Sequence, residues 1–339
     1  MSEFRHNLIT NQWVILAPAR GGRPYDFSQS NHTESASADN CPFCAGRERM
    51  TPPEVYAIRP EGSPPDGPGW LVRVIPNKYP ALRADLPPQP IPADFSDHPE
   101  LSFCAWSGAG VHEVVIEAPE HDRHFARLAP AHAVCALAAV RQRYRALQQA
   151  ENVKIIGIFI NHGGSAGASL SHPHFQIIAP DLLGGRLADQ LHYYQEFQRR
   201  QGRGVFEITL EQELAAGSRV IAADEHFVAL CPCAARTPYE VYVLPRASQA
   251  HFSDLADTAL PSLAEKLQLV LGRLERGMNN PDYNLVLHSA PAAPGDYPGF
   301  RWFVQIAPRL SIRGGFELST HIYVNTIAPE EAAAFYRQP

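Results

Sequence analysis

No uninterrupted apolar run long enough to span a bilayer occurs in this 339-residue chain, so no membrane-spanning helix is expected in it. The opening Met1-Ser-Glu-Phe-Arg-His6 lacks the apolar stretch of a secretory leader, and the expected location is the cytoplasm, with no membrane partner. Positive charge is also in short supply. Lys and Arg number 29 against 35 Asp and Glu, a formal net charge of −6, which removes the global basic footprint of a nucleic-acid binder. An anionic substrate must therefore be held by local arginines or backbone amides. Cysteine is sparse too, with 6 in the whole chain, and a chain of this size does not need disulfides to fold. In a reducing compartment the pair in Cys41-Pro-Phe-Cys44 reads better as a metal knuckle. What remains is ordinary for a soluble enzyme, 45% hydrophobic and 19% charged, with length for two domains or one large duplicated one.

The most informative residues are His172-Pro-His174-Phe-Gln176, just after a Gly/Ser/Ala-rich loop, Asn161 to Ser169. On an extended strand alternate side chains share a face, so His172, His174 and Gln176 are expected on one side. Glycines in the loop let backbone N–H groups approach an anion. An imidazole is a good nucleophile at neutral pH and an amide can hydrogen-bond a phosphate oxygen, so the combination points to covalent catalysis on a phosphoryl group. Two histidines packed at a strand end are the plainer alternative for a bare His-x-His.

Element order supports an internal duplication. In the first half, a valine-rich strand at Val111–Glu117 precedes an alanine-rich helix, Ala129–Gln149. A β-branched run, Ile155–Ile160, the glycine loop and the histidine strand follow. The order recurs in Glu240–Pro245, a helix at Ala259–Arg276, Tyr283–His288 and Trp302–Pro308. Aligned this way, Phe300 and Trp302 take the places of His172 and His174, so only the first half keeps the chemistry. The expected division is 1–190 for a catalytic half and 191–339 for a degenerate half that completes the substrate site.

Cys41 and Cys44 need two further ligands for a tetrahedral site, with His112, His121, His124 and His172 as candidates in the first half. A ligand at His172 would anchor a metal and leave His174 free to react. Arg20 and Arg23 form a compact pair in a glycine-containing turn, suited to an anion between them or simply solvated. Asn77, between proline-bracketed segments, reads as a base contact or a turn cap.

Together these segments resemble the galactose-1-phosphate uridylyltransferases of the histidine-triad superfamily, close to the nucleoside-diphosphate-hexose phosphorylase branch. The likeness rests on Thr10–Arg20, Cys41–Glu48, Asn77–Leu82, Glu113–His121, Asn161–Gln176, Glu213–Arg219 and Gly314–Glu317. It implies an α+β fold, a duplicated histidine-triad-like scaffold of two mainly antiparallel sheets with flanking helices. It also implies that His174 is the nucleophile and forms a nucleotidyl-histidine, with Gln176 steadying the transferring group. Asn161 and Ser169 match phosphate contacts, and Arg20 and Arg23 match contacts made from a neighbouring subunit of a homodimer. Asn77 matches a nucleotide contact, and Glu317 lies in a segment that meets the sugar. Cys41, Cys44, His121 and His172 coincide with structural zinc ligands. A second metal site is expected to be lost, since Gly204, Glu207 and Ser248 stand where ligands are usual and only His288 remains. Gln305 and Ala307 stand near a His-x-His that holds iron in other relatives.

The leading expectation is a UDP-glucose:hexose-1-phosphate uridylyltransferase, favoured by Pro173 between the two histidines. The alternative is a phosphorylase moving adenylyl from ADP-glucose to phosphate. A histidine-triad hydrolase is disfavoured by Gln176, which cannot readily protonate a leaving group or activate water. A non-catalytic nucleotide-sugar sensor is disfavoured by intact His174.

Overall fold

A computed structural model describes residues 2–22, 38–88, 90–91, 105–292 and 297–338. Arg23 lies outside the described residues. The first half contributes β1 (Glu3–Asn7), β2 (Gln12–Leu16), β3 (Tyr56–Ile58), β4 (Val72–Pro76), β5 (Pro90–Ile91), β6 (Ala105–Trp106) and β7 (Gly110–Ile116). Then come α1 (Pro130–Gln148), β8 (Gly157–His162), β9 (His174–Pro180), α2 (Gly185–Gln201) and α3 (Val205–Ala216). The second half adds β10 (Val220–Ala223), β11 (Phe227–Leu230), β12 (Val241–Pro245) and α4 (Leu260–Gly277). It ends with β13 (Tyr283–His288), β14 (Phe303–Pro308), α5 (Gly315–Thr320), β15 (Tyr323–Asn325) and α6 (Pro329–Arg337).

Ten strands form one antiparallel sheet in the order β10-β11-β12-β14-β13-β8-β9-β7-β4-β3. Outward from its centre, β8, β9, β7, β4, β3 on one side answer β13, β14, β12, β11, β10 on the other. This is the arrangement a duplication produces. The α+β class and antiparallel pairing expected from the sequence hold. The two half-sheets, however, are hydrogen-bonded edge to edge through β8 and β13, Tyr283 opposite His162 and Leu287 opposite Ile158. Joining them removes two exposed sheet edges. The division at residue 190 falls inside α2, and β15 pairs with β2 near the start of the chain.

Helices α1 and α4 cover one face. Each begins with a proline in its first turn, where the missing N–H costs nothing. Ala133, Ala136, Leu137, Val140 and Tyr144 of α1, and Leu263, Leu267, Val270 and Leu274 of α4, recur at helical spacing and are buried against Val115, Phe175, Ile177, Leu285 and Val304. Arg143 of α1 reaches the sheet to pair with Glu113 at 2.6 Å.

On the opposite face a cluster around Phe43, Trp70, Ile75, Val114 and Ile116 covers one end. Tyr194, Phe206, Tyr242 and Phe303 cover the other. Between them lie the polar residues of β9, β8, β13 and β14.

Facing corrects the alignment of the halves. His174 and Gln176 sit on the face away from α1, whereas Trp302 packs into the helix-covered core and Phe303 and Gln305 face the other way. A one-residue slip moves a strand's side chains to the wrong face. The structural counterpart of His174 is therefore Phe303, not Trp302, and Gln305 answers Gln176.

Glu117 follows β7 and is fully buried, and its carboxylate oxygens have no hydrogen-bond partner among the described residues. Burial pushes its pKa up to about 8. The native state thus holds a proton that the unfolded chain releases near pH 4.5, and stability falls as pH rises between the two values, with a limiting slope of about 1.4 kcal/mol per pH unit. Glu117→Gln is expected to raise the melting temperature at pH 8 and to change it little at pH 5. Equal shifts at both pH values would contradict a buried neutral acid.

Candidate active site

The site starts from the Cys41-Pro-Phe-Cys44 turn, closed by Cys44 N–H donating to the Cys41 carbonyl. Cys41, Cys44, His121 and His172 bring one donor atom each within 4.8 Å of one another. Cys41 Sγ lies 3.6 Å and Cys44 Sγ 3.7 Å from His172 Nδ1, and Cys44 Sγ lies 3.5 Å from His121 Nδ1. A tetrahedral ion with Zn–S near ~2.3 Å and Zn–N near ~2.0 Å needs S···N separations of about 3.6 Å, so the four donors fit such an ion. Their far sides are anchored as metal ligands require. His172 Nε2–H donates to the Ala118 carbonyl at 2.8 Å, and His121 Nε2 is 3.0 Å from Ser171 Oγ. Burial and the neighbouring Cys41 push the Cys44 thiol up to about 11, a cost that a bound cation relieves. Burial holds His172 down at about 4, in the neutral form that ligates.

Strand β9 begins at His174, so His172 precedes it in a turn rather than sharing its face as expected. The two rings are split between two tasks. The His172 carbonyl accepts the His174 Nδ1–H at 2.8 Å, which fixes the tautomer and leaves Nε2 as a free lone pair. Phe43, from the cysteine turn, packs edge-on against both rings, with centroids 6.0 Å from His172 and 5.4 Å from His174. Burial lowers His174's pKa, so the ring is unprotonated at neutral pH.

Gln176 is organised by a residue that the sequence pattern offers only as a candidate metal ligand. His112, on neighbouring β7, accepts the Ala81 N–H at Nδ1, 3.0 Å away, so its proton sits on Nε2. That proton goes to Gln176 Oε1 at 3.0 Å, leaving the Gln176 amide N–H groups to donate elsewhere. Asn77 lies beside His112, its Nδ2 3.1 Å from His112 Nε2 with both atoms donors in this tautomer, and its Oδ1 accepts the Tyr79 N–H. A lone polar pair, His112-Glu113, in a valine-rich strand was the signal that could have drawn notice to His112.

Asn161 ends β8. The register that sets Phe159 opposite Gln176 brings it across from His174. Its Oδ1 accepts from Asn284 of the second half at 2.8 Å. Ser169 is exposed at the end of the glycine loop. The loop itself is held by Asp282, also missed in the sequence, which takes the N–H and hydroxyl of Ser165 at 2.7 and 2.6 Å. Gly163 has a left-handed φ of 83°, and a Cβ there would sit 1.8 Å from Asp282 Oδ1. Gly163→Ala is therefore expected to displace the loop, lowering stability by about 2 kcal/mol or more and raising KM for a phosphate-bearing substrate. An unchanged melting temperature and KM would remove this role.

Arg20 is exposed in a 3-10 turn, Pro18–Gly22. Glu317 is engaged locally, its carboxylate accepting the Gly314 and Val324 N–H groups at 2.6 and 3.1 Å. Neither is hydrogen-bonded to the His174 cluster among the described residues. His288, Gln305 and Glu240 form a hydrogen-bonded chain in the second half.

Residues 1–183 match the family model described as galactose-1-phosphate uridyl transferase, N-terminal domain, and residues 120–334 match a domain of unknown function. The chain is 34% identical over 340 residues to an ADP-glucose phosphorylase of Arabidopsis thaliana, covering 99% of this chain and 92% of that one. It is 28% identical to a galactose-1-phosphate uridylyltransferase of Thermotoga maritima, covering 100% and 98%. A solved ADP-glucose phosphorylase from Arabidopsis thaliana with bound ADP-glucose superposes with a TM-score of 0.83 at 32% identity, covering 100% and 99%.

Proposed function

This chain belongs to the galactose-1-phosphate uridylyltransferase family, and on that premise we propose that it is a double-displacement nucleotidyltransferase acting on a nucleotide sugar through His174. The observation that carries the proposal is the His174 ring, neutral, with Nδ1–H tied to the His172 carbonyl and Nε2 free. Nε2 attacks the α-phosphorus. A P–N bond forms, the P–O bond to the β-phosphate breaks, and the electron pair leaves with the sugar 1-phosphate. An oxygen of a second phosphate then attacks the nucleotidyl-histidine and the P–N bond breaks, restoring the ring. A phosphate leaving group needs no general acid, so an amide suffices at position 176. The free N–H groups of Gln176 donate to the charged oxygens of the transferring group, with His112 holding the amide in place. Asn161, Ser169 and the glycine-loop amides take further phosphate oxygens.

The Cys41, Cys44, His121 and His172 set is a structural zinc site in this reading, and the ion ties the cysteine turn to the segment that bears His174. The working unit is a cytoplasmic homodimer in which Arg20 and Arg23 reach the phosphates of the neighbouring copy's site and Glu317 meets the sugar. The described residues carry no helix long and apolar enough to cross a membrane.

The preferred reaction is phosphorolysis of ADP-glucose, supported by the 34% relative over 99% of the chain and by the solved neighbour holding ADP-glucose. Uridylyl transfer from UDP-glucose to a hexose 1-phosphate is the second reading, favoured by Pro173 and by the uridylyltransferase relatives. A donor-by-acceptor matrix separates them. ADP-glucose with phosphate is expected to turn over more than about tenfold faster than UDP-glucose with galactose 1-phosphate. The reverse order moves the assignment to the second reading.

A further inference from the structure

The second half keeps a cup where the first half has its reacting groups. A cavity of about 580 Å³ opens on the same sheet face, over β8, β13 and β14; His174, Gln176 and His112 are not in its wall, but Asn161 is, so it adjoins the His174 site. Four arginines line it, Arg186, Arg236, Arg309 and Arg313, against one carboxylate, Glu240. That carboxylate is already committed. It accepts the Arg236 backbone N–H at 2.5 Å, lies 3.3 Å from the Arg236 guanidinium, and takes the Gln305 amide. Arg309 donates to Asn284 Oδ1 at 2.5 Å, and Arg313 lies over the Tyr323 ring. Among the described residues neither these two nor Arg186 has a carboxylate within ion-pair distance. Three uncompensated guanidiniums around one cavity repel each other unless an anion sits among them. The cavity also meets the N-terminus of the 17-residue α2, whose cap, Gly184, offers no side chain to the first N–H groups.

An apolar patch, Phe159, Val286, Leu187, Phe300 and Phe303, shares the wall with the polar Asn161, Gln190, Asn284 and His288. The position answering the nucleophile is Phe303, and Gln305 is spent on both sides, donating to Glu240 and accepting from His288. The nucleophile's place is thus taken by a phenyl ring and the amide beside it is already committed. We infer that this cavity is a second, non-catalytic site for an organic phosphate, its phosphate among Arg309, Arg313 and the α2 N-terminus and its base or sugar against Val286 and Phe303. The site lies beyond the nucleotidyl-transfer reading and rests on it only for the other binding equivalent, at His174.

Equilibrium dialysis of the zinc-loaded enzyme tests this with radiolabelled AMP, UMP and glucose 1-phosphate as separate arms, and with inorganic phosphate as competitor. At least one organic phosphate is expected to bind at two equivalents per chain. Arg309→Gln should weaken one equivalent at least tenfold, and Val286→Trp, which fills the cavity, should remove it. Covalent labelling of His174 should persist in Val286→Trp. A single equivalent in every arm overturns the inference, as does a second equivalent that survives both substitutions or that inorganic phosphate displaces at equal concentration. Failure of the transfer reading shows separately, as absence of label on His174.

Discussion

The His174→Ala enzyme is expected to exchange sugar 1-phosphate with its nucleotide sugar at least about 10⁴-fold more slowly than wild type, because it loses the ring that forms the P–N bond. The loss should fall on kcat, since the ring is the bond-forming group and not a major binding surface. The only hydrogen bond described for this ring goes to the carbonyl two residues earlier, so truncation leaves the strand ladder and the metal donors in place. Metal content and melting temperature should therefore stay near wild type, which separates lost chemistry from lost fold. Isotope exchange between labelled glucose 1-phosphate and ADP-glucose reads the effect directly. A variant retaining exchange within tenfold of wild type would remove His174 as the nucleophile.

Cys44→Ser carries the second large effect. Cys44 contacts both histidines of the cluster, and a serine hydroxyl does not replace a thiolate toward zinc. Bound zinc is expected to fall from one equivalent per chain to well below half. Stability should drop by roughly 3 kcal/mol or more, because the cysteine turn then loses its tie to the His121 and His172 segments. Activity should fall as well, since Phe43 packs against His174 from the same turn and the His172 carbonyl sets its tautomer. Elemental analysis beside a thermal melt checks both parts. Unchanged metal content in Cys44→Ser would refute the site, and a chelator that strips zinc with no change in melting would refute its structural role.

Much of this was legible in the chain because it rests on local pattern. The spacing of Val140, Tyr144 and Leu147 gives α1, and that of Leu263, Leu267 and Leu274 gives α4. The alternation in His174–Pro180 gives β9. The gathering of Cys41 and Cys44 with His121 and His172 followed from family resemblance, and the structure brings the four donors together. What escaped depends on register between strands far apart in sequence. His112 reaches Gln176 only because β7 and β9 are neighbours with Val114 opposite Gln176. Asp282 reaches the glycine loop only because β13 lies against β8. Aligning Trp302 with His174 failed for the same reason, since apolar strand sequences tolerate a one-residue slip that the two faces of a sheet do not. The joining of two half-sheets into one is set by edge pairing, which no local pattern announces.

The central claim is a bond between His174 Nε2 and the α-phosphorus, and trapping tests it most directly. The zinc-loaded enzyme, incubated without acceptor with ADP-glucose or UDP-glucose labelled at the α-phosphate, should take up label that withstands alkali, is lost in acid, and maps to the peptide bearing His174. Later addition of phosphate or a hexose 1-phosphate should discharge it. An enzyme that turns over yet takes up no label from either donor, or carries it on any other residue, would contradict the account.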